Sequence, residues 1–396
     1  MKKLLLASAA TALMAGAAGA DGHSPIKLGV LFGFTGPIES LTGPMGAGAE
    51  LAVSEVNAAG GILDGAMVEA VSADTGCIDN ALATSNAERL IAEGVAGIVG
   101  GDCSGVTGAI LANVAIPNGM VMISPSATSP ALSTVEDNGL FFRTAPSDAR
   151  EGQVMADILV ERGIESIALT YTNNDYGKGL ADAIQASFEA LGGEVTIVSA
   201  HEDGRADYSA EIAELDAAGG ELLVVAGYLD QGGLGIIRAS LDAGAWDTFG
   251  LPGGMIGDSL PANVGPDLNG SFGQIAGSGG EGADAMSSLG EANGFDGTSP
   301  YTPESYDAAA IFMLAMEAAG SADPADYAAE ILNVANAPGT QFFPGQLAEA
   351  LAAVRAGEDI DYQGGSAVEL IGPGESAGSY REIEVQDGEN VTVNFR

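Results

Sequence analysis

The sequence predicts an α/β protein of two lobes, each built on a parallel sheet that helices cover on both faces. Short strand-like runs alternate with helical patterns along most of the chain, and this alternation is typical of parallel sheets. The alternation runs through one series of units, pauses near Phe141-Phe142-Arg143 and then begins again. At 396 residues the chain is longer than one hydrophobic core usually serves. Two series of units in a chain of this length indicate two similar lobes.

The first series contains four strands and three helices. The helices show apolar residues at spacings of three and four, and the first of them stops at Gly60-Gly61. A segment rich in glycine and proline, 33–46, is predicted to be a loop between the first strand and the first helix. In chain order the predicted elements are strand 26–31, helix 47–58, strand 68–73, helix 80–93, strand 95–99, helix 106–114 and strand 119–123.

The second series repeats the same alternation. Neither series contains a phosphate loop or the glycine fingerprint of a dinucleotide site, so nucleotide binding has no support. Two later helices, 303–319 and 324–334, are expected to return to the first lobe. In chain order the second series is predicted as helix 149–162, strand 166–170, helix 179–191, strand 194–199, helix 208–217, strand 221–226 and helix 232–243.

The first twenty residues have the three parts of a secretory signal peptide. Lys2 and Lys3 precede an uncharged apolar run, 4–18, and Ala18-Gly19-Ala20 supplies the small residues that a signal peptidase reads. The run is shorter than the roughly 20 apolar residues that span a bilayer. We therefore expect export to the periplasm and a mature chain that begins at Asp21. No cysteine follows the run, so no lipid anchor is expected.

The charge balance excludes some classes of partner, and the cysteine content bears on the cellular compartment. The 54 acidic residues against 13 basic ones repel nucleic acid and anionic lipid, so neither is expected as a partner. Cys77 and Cys103 lie in a chain predicted to be exported, and an oxidising compartment favours a disulfide between them. Such a bond closes a loop of about 25 residues and contributes on the order of 3 kcal/mol. Two cysteines without a nearby histidine make a metal site improbable, and we expect neither a metal nor a cofactor.

Catalysis finds little support in the residue types. An enzyme needs a nucleophile with a base, paired carboxylates or a metal cluster. The mature chain has two histidines, His23 and His201, and neither has a spacing to serine or cysteine that indicates a catalytic pair. The sequence therefore predicts a binding protein rather than an enzyme.

The loops at one edge of each predicted sheet are the candidate binding loops. In open parallel sheets, ligands bind beyond the carboxyl ends of the strands. Several of these loops are rich in serine, threonine, tyrosine and small residues, which suit hydrogen bonding to a small polar ligand, although ordinary surface loops have a similar composition. They are residues 32–44, 100–105, 124–128, 172–176, 227–232 and 251–258.

The order and spacing of several short motifs resemble the branched-chain amino-acid family of periplasmic binding proteins, which have the type I fold. The motifs are Phe34-Thr35-Gly36-Pro37, Ala47-Gly48-Ala49-Glu50-Leu51-Ala52, Val56-Asn57-Ala58-Ala59-Gly60-Gly61-Ile62, Ile123-Ser124-Pro125-Ser126-Ala127-Thr128-Ser129-Pro130, Phe142-Arg143-Thr144-Ala145-Pro146-Ser147-Asp148, Asp175-Tyr176-Gly177 and Ser305-Tyr306-Asp307-Ala308. The resemblance covers nearly the whole mature chain. It also places the two cysteines where leucine-binding relatives carry a disulfide.

The resemblance implies two Rossmann-like lobes joined by a three-segment hinge. The hinge segments are expected near 145–148, 274–277 and 380–382. After the signal peptide, 1–20, the N-terminal lobe is expected to comprise 25–145 with 277–378, and the C-terminal lobe 146–276 with 379–396.

The family's ligand-binding residues can be carried over position by position, beginning with the first lobe. Ser104 resembles the serine that holds the ligand's carboxylate, at a point where backbone N–H groups and a helix start also suit an anion. An ordinary N-cap serine is the alternative for Ser104. Thr128 matches a threonine that contacts both ends of an amino acid, and Ser126 matches a position that binds through its carbonyl. Turn chemistry around Pro125 is the alternative for both.

Aromatic positions complete the implied site. Tyr176 and Tyr228, in the second lobe, resemble residues that close over the ligand, with core packing as the alternative. Tyr301 matches another aromatic pocket position. Leu41 stands where a relative has an aromatic wall, so a change in pocket shape is expected.

The segment 250–255 departs from the family pattern. Amino-acid binders usually carry a glutamate or aspartate near this point to pair with the ligand's ammonium group, and here Gly253 occupies the position. A buried ammonium without a counter-charge costs several kcal/mol. Either Asp230 or Asp258 supplies the charge from a neighbouring loop, or the ligand has no ammonium group.

The resemblance implies the substrate-binding protein of an ABC importer. It is expected to be a periplasmic monomer that captures an aliphatic or branched-chain amino acid by hinge closure and delivers it to a permease in the inner membrane. A small carboxylic acid, including an aromatic one, or an amide without an ammonium group is the alternative ligand. A sensory ligand-binding protein is the alternative role.

Overall fold

The computed structural model describes residues 24–396. The predicted signal peptide, its cleavage point at Asp21 and His23 lie outside the described residues. Sixteen strands are present in the described chain: β1 (Ile26–Phe32), β2 (Val68–Asp74), β3 (Val95–Gly100), β4 (Met122–Ser124), β5 (Phe141–Pro146), β6 (Ser166–Thr172), β7 (Glu194–His201), β8 (Leu222–Ala226), β9 (Phe249–Leu251), β10 (Phe272–Ala276), β11 (Thr340–Phe342), β12 (Ile360–Tyr362), β13 (Leu370–Ile371), β14 (Glu375–Ser376), β15 (Tyr380–Gln386) and β16 (Glu389–Phe395).

The helices alternate with these strands through most of the chain. They are α1 (Glu39–Ala58), α2 (Asn80–Ala92), α3 (Ser104–Ile110), α4 (Ile116–Asn118), α5 (Asp148–Glu161), α6 (Asp175–Ala190), α7 (Ser209–Ala218), α8 (Gly232–Ala243), α9 (Ser259–Val264), α10 (Glu281–Asn293), α11 (Thr302–Ala319), α12 (Pro324–Tyr327), α13 (Glu330–Ala335) and α14 (Leu347–Ala356). A π-helical turn, Leu111–Ala115, connects α3 to α4.

Two seven-stranded sheets form the centres of two lobes. The first lobe contains the sheet β13-β14-β5-β4-β3-β1-β2, and the second contains the sheet β16-β15-β10-β9-β8-β6-β7. Strands β1 to β5 are parallel to their neighbours in the first sheet, and β6 to β10 are parallel in the second. Both sheets therefore repeat one strand order, with the chain starting on the second strand from the edge. The predicted fold of two Rossmann-like lobes is confirmed.

The chain passes between the two lobes at three places. These lie between β5 and α5, between β10 and α10, and between β14 and β15. Helix α11 packs along α1 in the first lobe, and most of its residues are buried on all sides. Because polar groups would be costly there, this helix is almost continuously apolar after Asp307.

Helix α1 begins earlier than the sequence predicts. It starts at Glu39, inside the segment 33–46 that was expected to be a loop, and it contains Pro44. Leu41 and Met45 are buried in this first part of the helix. Packing of these side chains therefore outweighs the poor helix propensity of the glycine and proline residues around them.

Other boundaries differ for local reasons. Helix α6 begins at Asp175 rather than 179, because the Asn174 side chain caps it by accepting from the Gly177 N–H at 3.0 Å. The helix predicted at 324–334 is divided into α12 and α13. The short strands β9 to β14 and helices α9, α10 and α14 carry no clear periodicity and were not predicted.

The predicted disulfide between Cys77 and Cys103 is confirmed. Their Cα atoms are 5.2 Å apart and the cysteines are separated by 26 residues. The bond ties the loop after β2 to the loop after β3 and is buried at both ends. It therefore anchors the residue immediately before Ser104.

Candidate functional site

A small cavity of about 20 Å³ lies between the lobes at the carboxyl ends of β3, β4, β8 and β9. This is the edge at which parallel sheets bind ligands, and in this closed arrangement the cavity has room for about one water molecule. Both lobes contribute to its lining. The lining residues are Ile38, Leu41, Asp102, Cys103, Ser104, Ser126, Tyr176, Tyr228, Gly254 and Tyr301.

The two lobes contact each other around this cavity. The Asp230 N–H donates to the Pro37 carbonyl at 3.1 Å, and the Ser40 N–H donates to the Asp230 carboxylate at 3.0 Å. Beside them, the Ser129 hydroxyl donates to the Asp175 carbonyl at 3.1 Å. These hydrogen bonds join first-lobe residues to second-lobe residues, so the structure represents a closed arrangement of the lobes.

The first lobe presents two serine hydroxyls that differ in their hydrogen bonding. Ser104, at the start of α3, accepts the Ser129 N–H at 3.0 Å, which leaves its own hydroxyl proton available. Ser126 donates its hydroxyl to the Asp102 carbonyl at 2.9 Å, so that side chain is already used within the protein. Of the two hydroxyl groups, only that of Ser104 is therefore available as a donor to a ligand.

Thr128 lies beside this wall of the cavity and has an unused hydroxyl. Its Oγ1 is buried and has no hydrogen-bond partner, whereas its carbonyl accepts the Asp148 N–H at 2.8 Å. A buried hydroxyl without a partner is costly and marks a place where another molecule can complete the bonding.

Aromatic rings form the second-lobe wall. The rings of Tyr176 and Tyr228 are stacked, with centroids 5.1 Å apart and planes at 15°. The Tyr176 hydroxyl accepts the Gly254 N–H at 2.8 Å, which fixes that ring against the loop after β9. Tyr301, just before α11, is also buried at the cavity, and Leu41 faces it from α1. The cavity therefore combines flat aromatic faces with an aliphatic side chain.

The acids expected to compensate for Gly253 do not reach the cavity. Asp258 has an exposed side chain. The Asp230 carboxylate accepts from the Ser40 N–H and the Ser259 hydroxyl at the rim, where it joins the lobes. Neither aspartate is among the residues that line the cavity.

A different acidic pair lies at this end of the cavity. The Glu151 carboxylate accepts the Gly253 N–H at 2.7 Å and the Gln274 amide N–H at 3.3 Å. One turn earlier in α5, both carboxylate oxygens of Asp148 are buried without a hydrogen-bond partner. Sequence reasoning missed both acids.

The surroundings shift the protonation of this pair. Burial raises the pKa of Glu151 from 4.5 to about 7, against the opposing effect of the Gly253 N–H. Burial, and then the negative charge of Glu151, raise the pKa of Asp148 well above its usual range. Arg143 is the nearest positive charge to act on Asp148, yet its guanidinium is hydrogen-bonded to the carbonyls of Ala127 and Ser129.

A sequence signal for this pair did exist. Asp148 and Glu151 are three residues apart, and they share a helix face with the buried residues Met155 and Ile158. Carboxylates on the apolar stripe of a helix are rare unless paired or functional. Their position on the apolar face of the helix therefore identifies the two carboxylates as unusual. It does not identify the groups that surround them.

Metal binding and membrane insertion find no candidate in the part of the chain that the structure describes. Among residues 24–396, no three histidine, cysteine, aspartate or glutamate side chains are grouped so that they could hold a metal ion. None of the helices in the same range has the length and apolar character needed to span a membrane.

The chain is similar to known proteins in both sequence and structure. The family model described as "Periplasmic binding protein" matches residues 25–352. The Leu/Ile/Val-binding protein homolog 1 of Brucella melitensis is 31% identical over 334 residues, which cover 83% of this chain and 87% of that protein.

Two solved structures share the fold. A leucine-binding protein of Thermotoga maritima has a TM-score of 0.79 at 21% identity, covering 93% of this chain and 98% of the other. An ABC-transporter solute-binding protein of R. palustris, in complex with benzoate, has a TM-score of 0.75 at 18% identity, covering 94% and 96%.

Proposed function

Because this chain belongs to the periplasmic binding protein family, we propose that it is the substrate-binding protein of an ABC importer. In this role it captures a small molecule between its lobes and delivers it, chemically unchanged, to a permease in the inner membrane. The observation that carries the proposal is that residues of both lobes line one cavity at the carboxyl ends of their strands.

The proposed mechanism is closure about the three connecting segments. The proposed lobes are 25–145 with 277–378 and 146–276 with 379–396. Ligand first contacts the first lobe, and the second lobe then closes over it. A ligand favours the closed form only through contacts that the open form lacks, which the wall of Tyr176 and Tyr228 supplies. Asp230, at the rim of the cavity, adds hydrogen bonds between the lobes that do not depend on the ligand.

An aliphatic or branched-chain amino acid is the first proposed ligand. The relative from Brucella melitensis is named for leucine, isoleucine and valine, and Leu41 and Ile38 offer an aliphatic surface. The Ser104 hydroxyl donates to the ligand's carboxylate, and the Thr128 hydroxyl contacts the ligand beside it. Ser126, Gly253 and Tyr301 shape the remaining walls.

A small carboxylic acid without an ammonium group is the second candidate. It is supported by the structural neighbour from R. palustris, which was solved with benzoate. The stacked tyrosines would suit an aromatic ring, since offset stacking of flat faces is favourable. The two candidates share the carboxylate and differ in the group at its other end.

Calorimetry tests the proposed function. Wild-type protein is expected to bind one member of a panel of amino acids, carboxylates and amides one-to-one, with a raised melting temperature. Ser104→Ala and Thr128→Val are each expected to weaken that binding by about tenfold, the loss of roughly one hydrogen bond.

Thr170→Val is the matched control for these variants. Thr170 is also buried, but its hydroxyl is hydrogen-bonded to His201 at 2.9 Å within the second lobe. This control should lower the melting temperature and leave the affinity unchanged. If folded wild-type protein binds no member of the panel, or converts one into a product, the proposed function is wrong.

A further inference from the structure

We propose that Glu151, with Asp148 beside it, binds a positively charged group of the ligand at the Gly253 end of the cavity. The inference rests on the proposed function and narrows its ligand class to small molecules that carry an ammonium group. In this proposal the start of α5 recognises the ammonium group of the ligand, which the binding loops do not.

Glu151 is not itself a lining residue, and it lies behind the wall that Gly254 and Tyr301 form. A Cβ placed on Gly253 would lie 3.0 Å from a Glu151 carboxylate oxygen and 3.1 Å from the Tyr301 hydroxyl. Tyr301 and Gly254 both line the cavity. The carboxylate therefore occupies the space beside Gly253 that a longer side chain at that position would otherwise fill.

The polar atoms around Glu151 lack partners. Both carboxylate oxygens of Asp148, the Thr128 hydroxyl and the Tyr380 hydroxyl are buried without a hydrogen bond. Asp148 lies beside the Thr128 hydroxyl, which lowers its pKa, and beside Glu151, which raises it, so these three groups form one cluster. Buried polar atoms in native proteins are normally satisfied, and since the two hydroxyls carry protons of their own, it is the Asp148 carboxylate that calls for a donor. An ammonium group brings three donors and no acceptor.

No cation of the protein neutralises the two acids. Among residues 24–396, neither Asp148 nor Glu151 forms a salt bridge, and the Arg143 guanidinium is held by carbonyls, Ser133 and Glu375. Burying a carboxylate without a counter-charge is unfavourable. A ligand with a carboxylate alone would bring a further negative charge to this end, whereas an ammonium group would supply the missing positive one.

The geometry also distinguishes this pair from other acids. Asp102 is buried at the cavity, but the Gly33 N–H and the Thr75 hydroxyl already satisfy its carboxylate. Asp230 is used at the rim between the lobes. Of these four acids, Asp148 and Glu151, which lie behind the cavity lining, are the ones with bonding capacity left for a ligand.

The test compares ligands that differ by one charged group. The first set is leucine, 4-methylpentanoate, which lacks the ammonium group, and 3-methylbutylamine, which lacks the carboxylate. Equivalent sets built on valine and phenylalanine cover other side-chain sizes. Calorimetry on wild-type protein should show the ammonium-bearing members binding about 30-fold or more tighter than their deaminated analogues, the scale of a buried charged contact.

Variants locate the effect. Glu151→Gln keeps the side-chain shape and an acceptor for the Gly253 N–H, and should reduce affinity for the amino acid about 30-fold or more. The same variant should leave affinity for the deaminated analogue within about threefold of wild type. Glu304→Gln is the matched control, because Glu304 is equally buried but does not contact Gly253. It should change neither affinity.

Each outcome decides the inference. Equal affinity of wild type for an amino acid and its deaminated analogue overturns it, and leaves the proposed function standing. If folded Glu151→Gln has the same ratio of affinities for the amino acid and its deaminated analogue as wild type, the inference is also overturned. If that variant does not fold, the same affinity ratio is measured on Asp148→Asn and compared with the wild-type ratio. Binding of a panel carboxylate or amide that has no ammonium group, with no binding of any amino acid, overturns the inference alone, whereas failure to bind any member of the sets or of the wider panel contradicts the proposed function itself.

Discussion

Gly253 is the residue at which the second lobe comes closest to Glu151. Its N–H donates to the Glu151 carboxylate at 2.7 Å, and a Cβ there would stand 3.0 Å from that carboxylate and 3.1 Å from the Tyr301 hydroxyl. Both neighbours are buried, so neither can move away into solvent. The absence of a side chain at Gly253 is therefore a condition for the position of Glu151.

The variant Gly253→Ala should weaken ligand binding by about tenfold, because the added methyl group displaces Glu151 and Tyr301. Gly108→Ala is the control: nothing lies within 4 Å of the added carbon in α3, and alanine stabilises a helix by about 0.5–1 kcal/mol over glycine. Calorimetry and thermal melts measure both effects. Unchanged affinity in Gly253→Ala would show that Glu151 has room to move.

The candidate site was predictable at residue scale only in part. Ser104, Tyr176 and Tyr228 lie within a few residues of the carboxyl end of a strand, so a parallel sheet brings them to one edge whatever its details. Glu151 is different, because its role depends on α5 meeting the loop after β9, about a hundred residues away in the chain. That contact is a property of tertiary packing, and no local pattern reports it.

The disulfide is the element-scale feature that joins the fold to the site. It links the loop after β2 to the loop after β3, and the second cysteine immediately precedes Ser104. The position of Ser104 at the start of α3 therefore depends on a covalent bond as well as on packing.

The double variant Cys77→Ser and Cys103→Ser should be less stable by on the order of 3 kcal/mol, since the open chain regains the entropy of a loop of this length. It should also bind ligand more weakly, because the Ser104 segment loses its anchor. Chemical denaturation and calorimetry measure the two effects. Reduced wild-type protein is the control and should match the variant, and equal stability of oxidised wild type and variant would contradict the prediction.

Elements with their own periodicity were predictable, and those without it were not. Helix α8 and strands β2 and β3 have apolar patterns long enough to identify by themselves. Strands β13 and β14 have two residues each and exist because they extend the edge of an existing sheet. Their formation depends on β5, so their sequence alone carries no strand signal.

At the scale of the whole molecule, two electrostatic costs oppose closure of the lobes. The chain carries a formal net charge of −41 at pH 7, so bringing the lobes together is resisted by like charge. Asp148 and Glu151 are also buried in this closed form, which is costly wherever they are ionised. The hydrogen bonds at the rim act against both costs, and the stacked tyrosines contribute further contacts once a ligand lies between the lobes.

We predict that closure without ligand depends on pH through this acidic pair. The groups that face the pair are Tyr176, Tyr301 and Tyr380, with Arg143 acting on Asp148 from the first lobe. Burial holds the pKa of Glu151 at about 7 in the closed form, above its ordinary value of 4.5, and raises that of Asp148 as well. Closing therefore takes up protons.

The sign of the effect follows from that proton uptake. Below pH 4.5 both forms are protonated and Glu151 imposes no penalty. The free-energy cost that Glu151 adds to closure grows as the pH rises toward 7, and above pH 7 it is on the order of 3 kcal/mol. Small-angle X-ray scattering of ligand-free protein should give a smaller radius of gyration at pH 5 than at pH 8. The double variant Asp148→Asn and Glu151→Gln, which keeps nearly all of the acidic surface, should be compact at both values. A pH response of equal size in wild type and variant would assign the effect to the overall charge instead of the acidic pair.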